Sequence, residues 1–547
     1  MHRYPSHRRL ATLALAAVLA APFAAPVAAR DGAHDHGDHH HPVTTSSSEA
    51  QRHFDEGMHL AWGFNHLEAA RTFRAAIEAD PECAMCYWGL ALVLGPNINA
   101  PADPQYHDEI VAAMAKAREL APQGSERERA YIEALSKRYG PEPVEDRSAL
   151  DRAYASEMRR VARRFPDDLD AGVLFAEAIM DTMPWDYWTA EGEPKPATRE
   201  FLDVLESVLR RDPKHPGGNH LLIHAVEKVR PDLGVPAAER LDVNAQATGH
   251  LVHMASHIYI RVGRYDDAVR VNERAIAEDQ AYARTHEVPA EYEGYMLHNH
   301  HMLWAAACFE GRSQRALEAA RYVEEHTPAA LLADPVAGGG MQMYASFVYQ
   351  HLVRFGRWDE ILAEPAPETE TAYPHAVWHY ARGRAFVAKG ELEAAAKELA
   401  AMKERLAAPE LAGYAIWGLN PNRSVGLIGQ HVLEGELAAA RGEWESAISH
   451  LEEAVRREDA LTYDEPPPWS YPARHSLGAV LLEAGKPAAA ERVFRQDLDI
   501  FPRNGWSLLG LAQALEARGE QAEAKQVRAD LDEAWSNADV ELVGARF

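Results

Sequence analysis

From Gln51 onward the chain reads as helix after helix, and one spacing of small, aromatic and proline residues keeps returning along it. Gly57, Leu60, Ala69, Phe73, Ala76 and Pro81 carry it first. Ser256, Tyr259, Gly263, Ala268 and Ala275 repeat it, as do Gly435, Gly442, Ala447, Leu451 and Ala454. Gly478, Gly485, Ala490, Phe494 and Pro502 follow, then Ala512, Leu515, Gly519 and Ala524. Small residues at fixed positions let paired helices approach closely, and a proline after the second helix ends it. Nothing in the pattern alternates with a period of two, so strands are not expected. A chain of this kind buries its apolar faces only by stacking one helix pair on the next.

These positions resemble those of tetratricopeptide-repeat proteins over most of residues 50 to 535, with the best matches at the C-terminal end and poor ones at 96–165 and 325–375. The resemblance implies an all-α, right-handed superhelical solenoid of antiparallel helix pairs, whose first helices line a concave wall. Loop-like breaks at Gly95–Pro101, Glu191–Pro196, Glu364–Glu370 and Asp464–Trp469 are long for turns inside repeats. The expected organisation is a leader over 1–29, a tail and linker over 30–49 and N-terminal repeats over 50–215. Histidine-rich repeats over 216–325, C-terminal repeats over 326–535 and a terminal segment over 536–547 complete it.

Within 216–325, histidines recur at helical spacing. His220 and His224 stand four apart, and His253 and His257 repeat that pair 33 residues later. Residues three or four apart share a helix face, so each pair forms an imidazole stripe. At 100° per residue His250 joins His253 and His257, while Leu251, Met254, Ala255, Ile258 and Val262 cover another side that must meet neighbouring helices. The histidine stripe is therefore expected to face a groove or solvent. His253 and His257 lie ten and six residues before Gly263, and His301 lies ten before Gly311 with His298 one turn earlier. The resemblance places those offsets on the inner wall. Glu227 extends the His220 stripe, and Glu177 and Asp181 stand four apart one repeat earlier.

Adjacent helices pack about 8 to 10 Å apart, within reach of a shared ion. His220, His224, His250, His253, His257, His298, His301, Glu227, Glu177 and Asp181 are thus the candidate ligands of a divalent transition metal. Imidazole and carboxylate suit zinc, copper, iron or nickel without choosing between them. The competing reading is a metal-free groove that docks a protein or peptide. A lone helical pair such as His375 and His379 is ordinarily a surface feature, and His300 turns away from His298 toward a helix interface. No H-E-x-x-H occurs, since the motifs read H-L-L-I-H and H-M-A-S-H, so binding is favoured over catalysis. A second groove region is expected at Trp469, Arg474, His475, Arg503, Asn504 and Trp506, where arginine and tryptophan suit a peptide carboxylate. Asn97 and Asn99 are candidates to bind backbone groups near the first loop.

The net charge of −27, from 56 basic and 83 acidic residues, argues against nucleic acid as the partner. Arg3, Arg8 and Arg9, the apolar run Leu10–Leu19 and the small residues Val27-Ala28-Ala29 read as a secretory signal, which places the protein in the periplasm or outside the cell. No other segment reads as a membrane span. Behind the leader, His34, His36, His39, His40 and His41 alternate with Asp31, Asp35 and Asp38, a disordered tail suited to weak metal capture. Cys83 and Cys86 form C-A-M-C, read as small apolar residues or a local disulfide, and Tyr87 after them excludes covalent haem attachment.

Overall fold

The computed structural model describes residues 39–189, 191–245, 248–286, 288 and 290–547. The leader and most of the histidine tail, residues 1–38, lie outside that range. The described chain is an all-α solenoid of consecutive helices, with one two-stranded hairpin pairing Ala415–Ile416 with Asn420–Pro421. No described helix is long and apolar enough to cross a membrane. Two compact units are present: residues 39–258 with Val271–Asn299, and Tyr259–Arg270 with His300–Phe547.

In the first unit, helices Ser48–Trp62 and His66–Ala79 form a hairpin, and Ala84–Val93 packs on it. Phe73 explains the glycines of the first repeat. A methyl group on Gly57 would come within 2.8 Å of its ring and one on Gly89 within 2.3 Å, so the ring is wedged between two helices that have no side chain there. The Ser47 side chain caps the first helix by accepting from the Ala50 amide. Cys83 and Cys86 are joined as a disulfide.

The expected disorder of the tail does not extend to its end. His41 is 3% exposed, and its Nδ1 donates to Asp170 at 2.6 Å. His215 Nε2 donates to the same carboxylate at 3.0 Å, and His39 Nε2 lies 3.1 Å from it. Thr44, expected in a loose linker, donates its amide and hydroxyl to Glu128 at 2.5 and 2.6 Å. A buried aspartate needs donors, and His41 of the tail supplies one of them, with His39 alongside. Asp170 is accordingly held well below the usual carboxylate range: burial works the other way, but the facing histidines outweigh it.

In the second unit the hairpins Ala372–Ala388 with Leu392–Leu406, Asn422–Ala440 with Trp444–Asp459, Ala473–Glu483 with Pro487–Ile500, and Gly505–Arg518 with Gln521–Ala534 follow one another. Alternate helices also touch, as a stacked repeat requires. Phe494 repeats the wedge of Phe73, between Gly478 and Gly510, where an added methyl would stand 2.3 Å from the ring in both cases. Gly485 and Gly519 close their hairpins at φ 70° and 83°, left-handed values that favour glycine.

Candidate metal centre

Three helices carry the histidines, on stretches that belong to the first unit. Pro216–Val226 brings His220 and His224, Gly249–Arg261 brings His250, His253 and His257, and Ala290–Glu310 brings His298. The first of these helices begins on His215, whose ring accepts from the Gly218 amide, and Pro216 takes the first turn, where a missing N–H costs nothing. Gly217 lets it lie against the Trp62 ring, which a Cβ would meet at 2.4 Å. The turn after Trp62 approaches Thr248 so closely that a Cβ on Gly63 would stand 2.3 Å from the threonine methyl. Asp279 accepts from Tyr292 at 3.0 Å and from Asn299 at 2.6 Å, which fixes the helix bearing His298 against Tyr265–Ala283.

The rings meet in two triads: His220, His224 and His250 have ligand atoms within 4.8 Å of one another, and so do His253, His257 and His298. Nε2 of His220 faces Nε2 of His224 at 3.1 Å, and Nε2 of His253 faces Nε2 of His257 at 2.8 Å. The far side of each of these four rings is already engaged. His220 Nδ1 donates to the Trp62 carbonyl (2.6 Å), His224 Nδ1 and His257 Nδ1 donate to the two oxygens of Glu227 (2.9 and 2.7 Å), and His253 Nδ1 donates to Asn272 Oδ1 (2.7 Å). A carbonyl and a carboxylate can only accept, so the proton sits on Nδ1 and the Nε2 lone pairs point at each other. Two facing lone pairs repel unless a cation lies between them. Backing of Nδ1 by carboxylate, carbonyl or amide is the arrangement that orients metal-ligating imidazole.

A proton shared between the rings would be the other cation. Burial opposes it: His220, His250 and His253 are all held well below the ordinary histidine range, by burial first and by neighbouring imidazoles next. His250 is 2% exposed, and neither of its ring nitrogens has a hydrogen-bond partner among the described residues. A buried imidazole without a partner is costly, and an ion would remove that cost.

Aromatic rings enclose the first triad. The Phe64 ring centroid lies 4.4 Å from that of His220, Trp185 lies 5.1 Å from His224, and Tyr295 lies 4.4 Å from His250. Phe64 and Trp185 hold φ at 53° and 61°, a backbone conformation costly for bulky residues and concentrated at functional sites. Sequence reasoning missed Phe64, Trp185, Tyr295, Asn272 and the Trp62 carbonyl, because aromatic residues and one amide carry no spacing signature. It also missed His431, Glu434 and His450 in the second unit, where both Nδ1 atoms lie within 3.1 Å of one Glu434 oxygen.

Several expectations need correction. The His250–His253–His257 stripe faces the interior and not an open groove: the three rings are 2%, 0% and 4% exposed. Glu227 stands behind the rings, its oxygens accepting from His224 and His257, and its carboxylate also lies within 4.8 Å of ligand atoms of both rings. His301 belongs to the other unit, packed on Phe347 at 4.5 Å and Tyr344 at 5.4 Å, with burial pushing it down to about 3. Asp181 accepts from the buried Arg138 guanidinium, and burial pushes both Asp181 and its neighbour Glu177 up. His39, Asp170 and His215 also converge within 4.8 Å, but there the His215 Nδ1 accepts from Gly218, so its Nε2 carries the proton and donates to Asp170.

The C-terminal candidates are covered or paired within their own unit, although the buried Trp469 indole nitrogen has no hydrogen-bond partner among the described residues. Trp469 and Trp506 are 1% and 0% exposed, and the Trp506 indole donates to the Cys308 carbonyl at 3.0 Å. Arg474 grips Asp459 through two bonds of 2.8 and 2.7 Å. His475 lies between Arg354 (2.7 Å) and Asp497 (2.9 Å). Asn504 caps the Gly505–Arg518 helix, and Arg503 pairs with Glu533 at 2.8 Å. Stacking the repeats turned these aromatic residues into core. Asn97 accepts from the amides of Asn99 and Ala100, closing its own loop.

No protein-family model matches the chain, and no curated protein matches it. Among solved structures, the human IFIT1 dimer with m7Gppp-AAAA is similar at 14% identity and a TM-score of 0.32, covering 90% of this chain and 91% of that one. Naa15/Naa10 bound to HypK-THB is similar at 11% identity and a TM-score of 0.21, covering 89% and 71%. Scores this low carry nothing about the site of this chain.

Proposed function

We propose that this protein is an exported metal-binding solenoid that holds a divalent transition ion among the buried imidazoles of its first unit. The observation that carries the reading is the pair of facing Nε2 contacts, 3.1 Å for His220 with His224 and 2.8 Å for His253 with His257, each ring tied at Nδ1. A ligand set of neutral imidazoles suits zinc, copper, iron or nickel and is poorly matched to magnesium or calcium. The histidine- and aspartate-rich segment before Thr44 would concentrate such ions near the fold. Export rests on the N-terminal sequence, and the Cys83–Cys86 disulfide is compatible with an oxidising compartment. A metal-free docking scaffold is less well supported, because the tryptophans it would use, Trp469 and Trp506, are covered.

The test is elemental analysis of the full chain, made without an added tag and carrying H34Q, H36Q and H40Q so that the tail contributes little. Retention of a stoichiometric transition ion through dialysis, and its loss in the H253A/H257A variant, is the expected result. A protein that stays empty after incubation with each of the four metals would sink the reading.

A further inference from the structure

The cluster contains more imidazole than one ion can use. Two nitrogen ligands at 2.0 to 2.1 Å in a tetrahedral site stand about 3.3 Å apart. The His220–His224 pair, at 3.1 Å, and the His253–His257 pair, at 2.8 Å, are each already near the span of one chelated ion. Each pair also has its own third ring, His250 for the first and His298 for the second. The triads are neighbours: the rings of His224 and His257 are 5.7 Å apart, as are those of His250 and His253. Glu227 backs one ring in each, through opposite oxygens of a single carboxylate.

We propose that the six imidazoles hold two transition ions as one paired centre, each ion bound by three rings and keeping a fourth position for a small exogenous ligand. This rests on the metal-binding reading above and adds stoichiometry, pairing and an open coordination position. Three protein ligands on a tetrahedral ion leave one position for water or a small anion, the pattern that separates reactive sites from closed structural ones. Phe64 and Trp185 wall the first triad with apolar surface, so a small ligand fits the position better than a peptide side chain. Glu227 acts as a positioning residue for both ions, since it orients one imidazole of each.

The experiment loads the full chain carrying H34Q, H36Q and H40Q with Cu(II), removes loose metal and counts ions and spins. Two coppers per chain are expected, with an electron paramagnetic resonance signal broadened or reduced by the neighbouring ion and a half-field transition. Adding azide is expected to produce a new charge-transfer absorption. H298Q should then retain one copper and give the sharp signal of an isolated ion. If H298Q fails to fold, the spin count on the parent decides alone. One copper per chain, two coppers with full isolated signals, or no response to azide would overturn the proposal while leaving metal binding intact. No bound copper would overturn the paired centre, and only a protein that stays empty with all four metals would overturn the metal-binding reading with it.

Discussion

Nε2 of His253 stands 2.8 Å from Nε2 of His257, while the other nitrogen of each ring is spoken for, by Asn272 in one case and Glu227 in the other. The contact is repulsive for neutral rings and attractive once an ion sits between them. The proposed metal binding rests on that pair and its counterpart at His220 and His224.

Glu227 is 0% exposed and accepts from both triads. Replacing it by glutamine keeps the shape but removes the charge and turns one acceptor into a donor. E227Q is expected to weaken metal affinity by about 10- to 100-fold, the range found for groups that orient ligating histidines. Competition against a chromophoric chelator measures it. Affinity within twofold of the parent would show that Glu227 is structural only.

His351 lies wholly buried beside Phe355, with both ring nitrogens unpartnered among the described residues and burial pushing it down to about 3. Above the ordinary histidine value both folded and unfolded rings are neutral. Below it the unfolded ring takes up a proton first, so stability is lost as pH falls from about 6.5 toward 3. Buried carboxyl groups pushed up, such as Asp279 at about 7, slope the other way, so the parent alone does not isolate the ring. H351M relative to the parent should gain about 1.4 kcal/mol between pH 7.5 and 5.5. Denaturant melts of both proteins at both pH values test this, and a gap that does not move with pH would refute it.

Gly478 and Gly485 are both glycines of one repeat, but for different reasons. Gly478 gives way to the Phe494 ring, whereas Gly485 holds φ at 70° with nothing within 4 Å. G478A should cost about 2 to 3 kcal/mol through overpacking, and G485A about 1 kcal/mol through backbone conformation. F494L should offset much of the first cost and none of the second, which a double-mutant cycle on denaturation free energies reads directly. Equal coupling of Phe494 to both positions would contradict the wedge.

Asp170 gathers His41 and His215, with His39 alongside. In D170N those rings face an amide in place of a buried carboxylate, at a cost of about 2 to 4 kcal/mol. The segment before Thr44 should then become accessible to proteases at native temperature. Unchanged cleavage kinetics together with an unchanged melting temperature would show that the docked tail contributes nothing.

The repeat was legible because its residues report local constraints. Phe73 with Gly57, and Phe494 with Gly478, are steric pairs within about one repeat length, and such pairs recur wherever helix hairpins stack. The histidine pairs were legible as stripes for the same reason. Their direction was not: the resemblance implied a concave wall, whereas His253 and His257 are enclosed. Trp469 and Trp506 misled in the opposite sense, since a tryptophan after a turn reads alike whether it lines a groove or fills a core. Asp170, 129 residues from His41, offered no local sign that it would tie down a segment rich in charge.

The amino-acid sequence by itself determined the helices, their pairing and which histidines share a face, because periodicity and steric fit act over a few turns of chain. Only the tertiary structure decided that Glu227 would stand behind two rings from different helices, that Trp62 would lend His220 a carbonyl across 158 residues, and that His301 would part from His298. Those outcomes depend on where helices distant in sequence come to rest, and spacing along one helix holds no information about that.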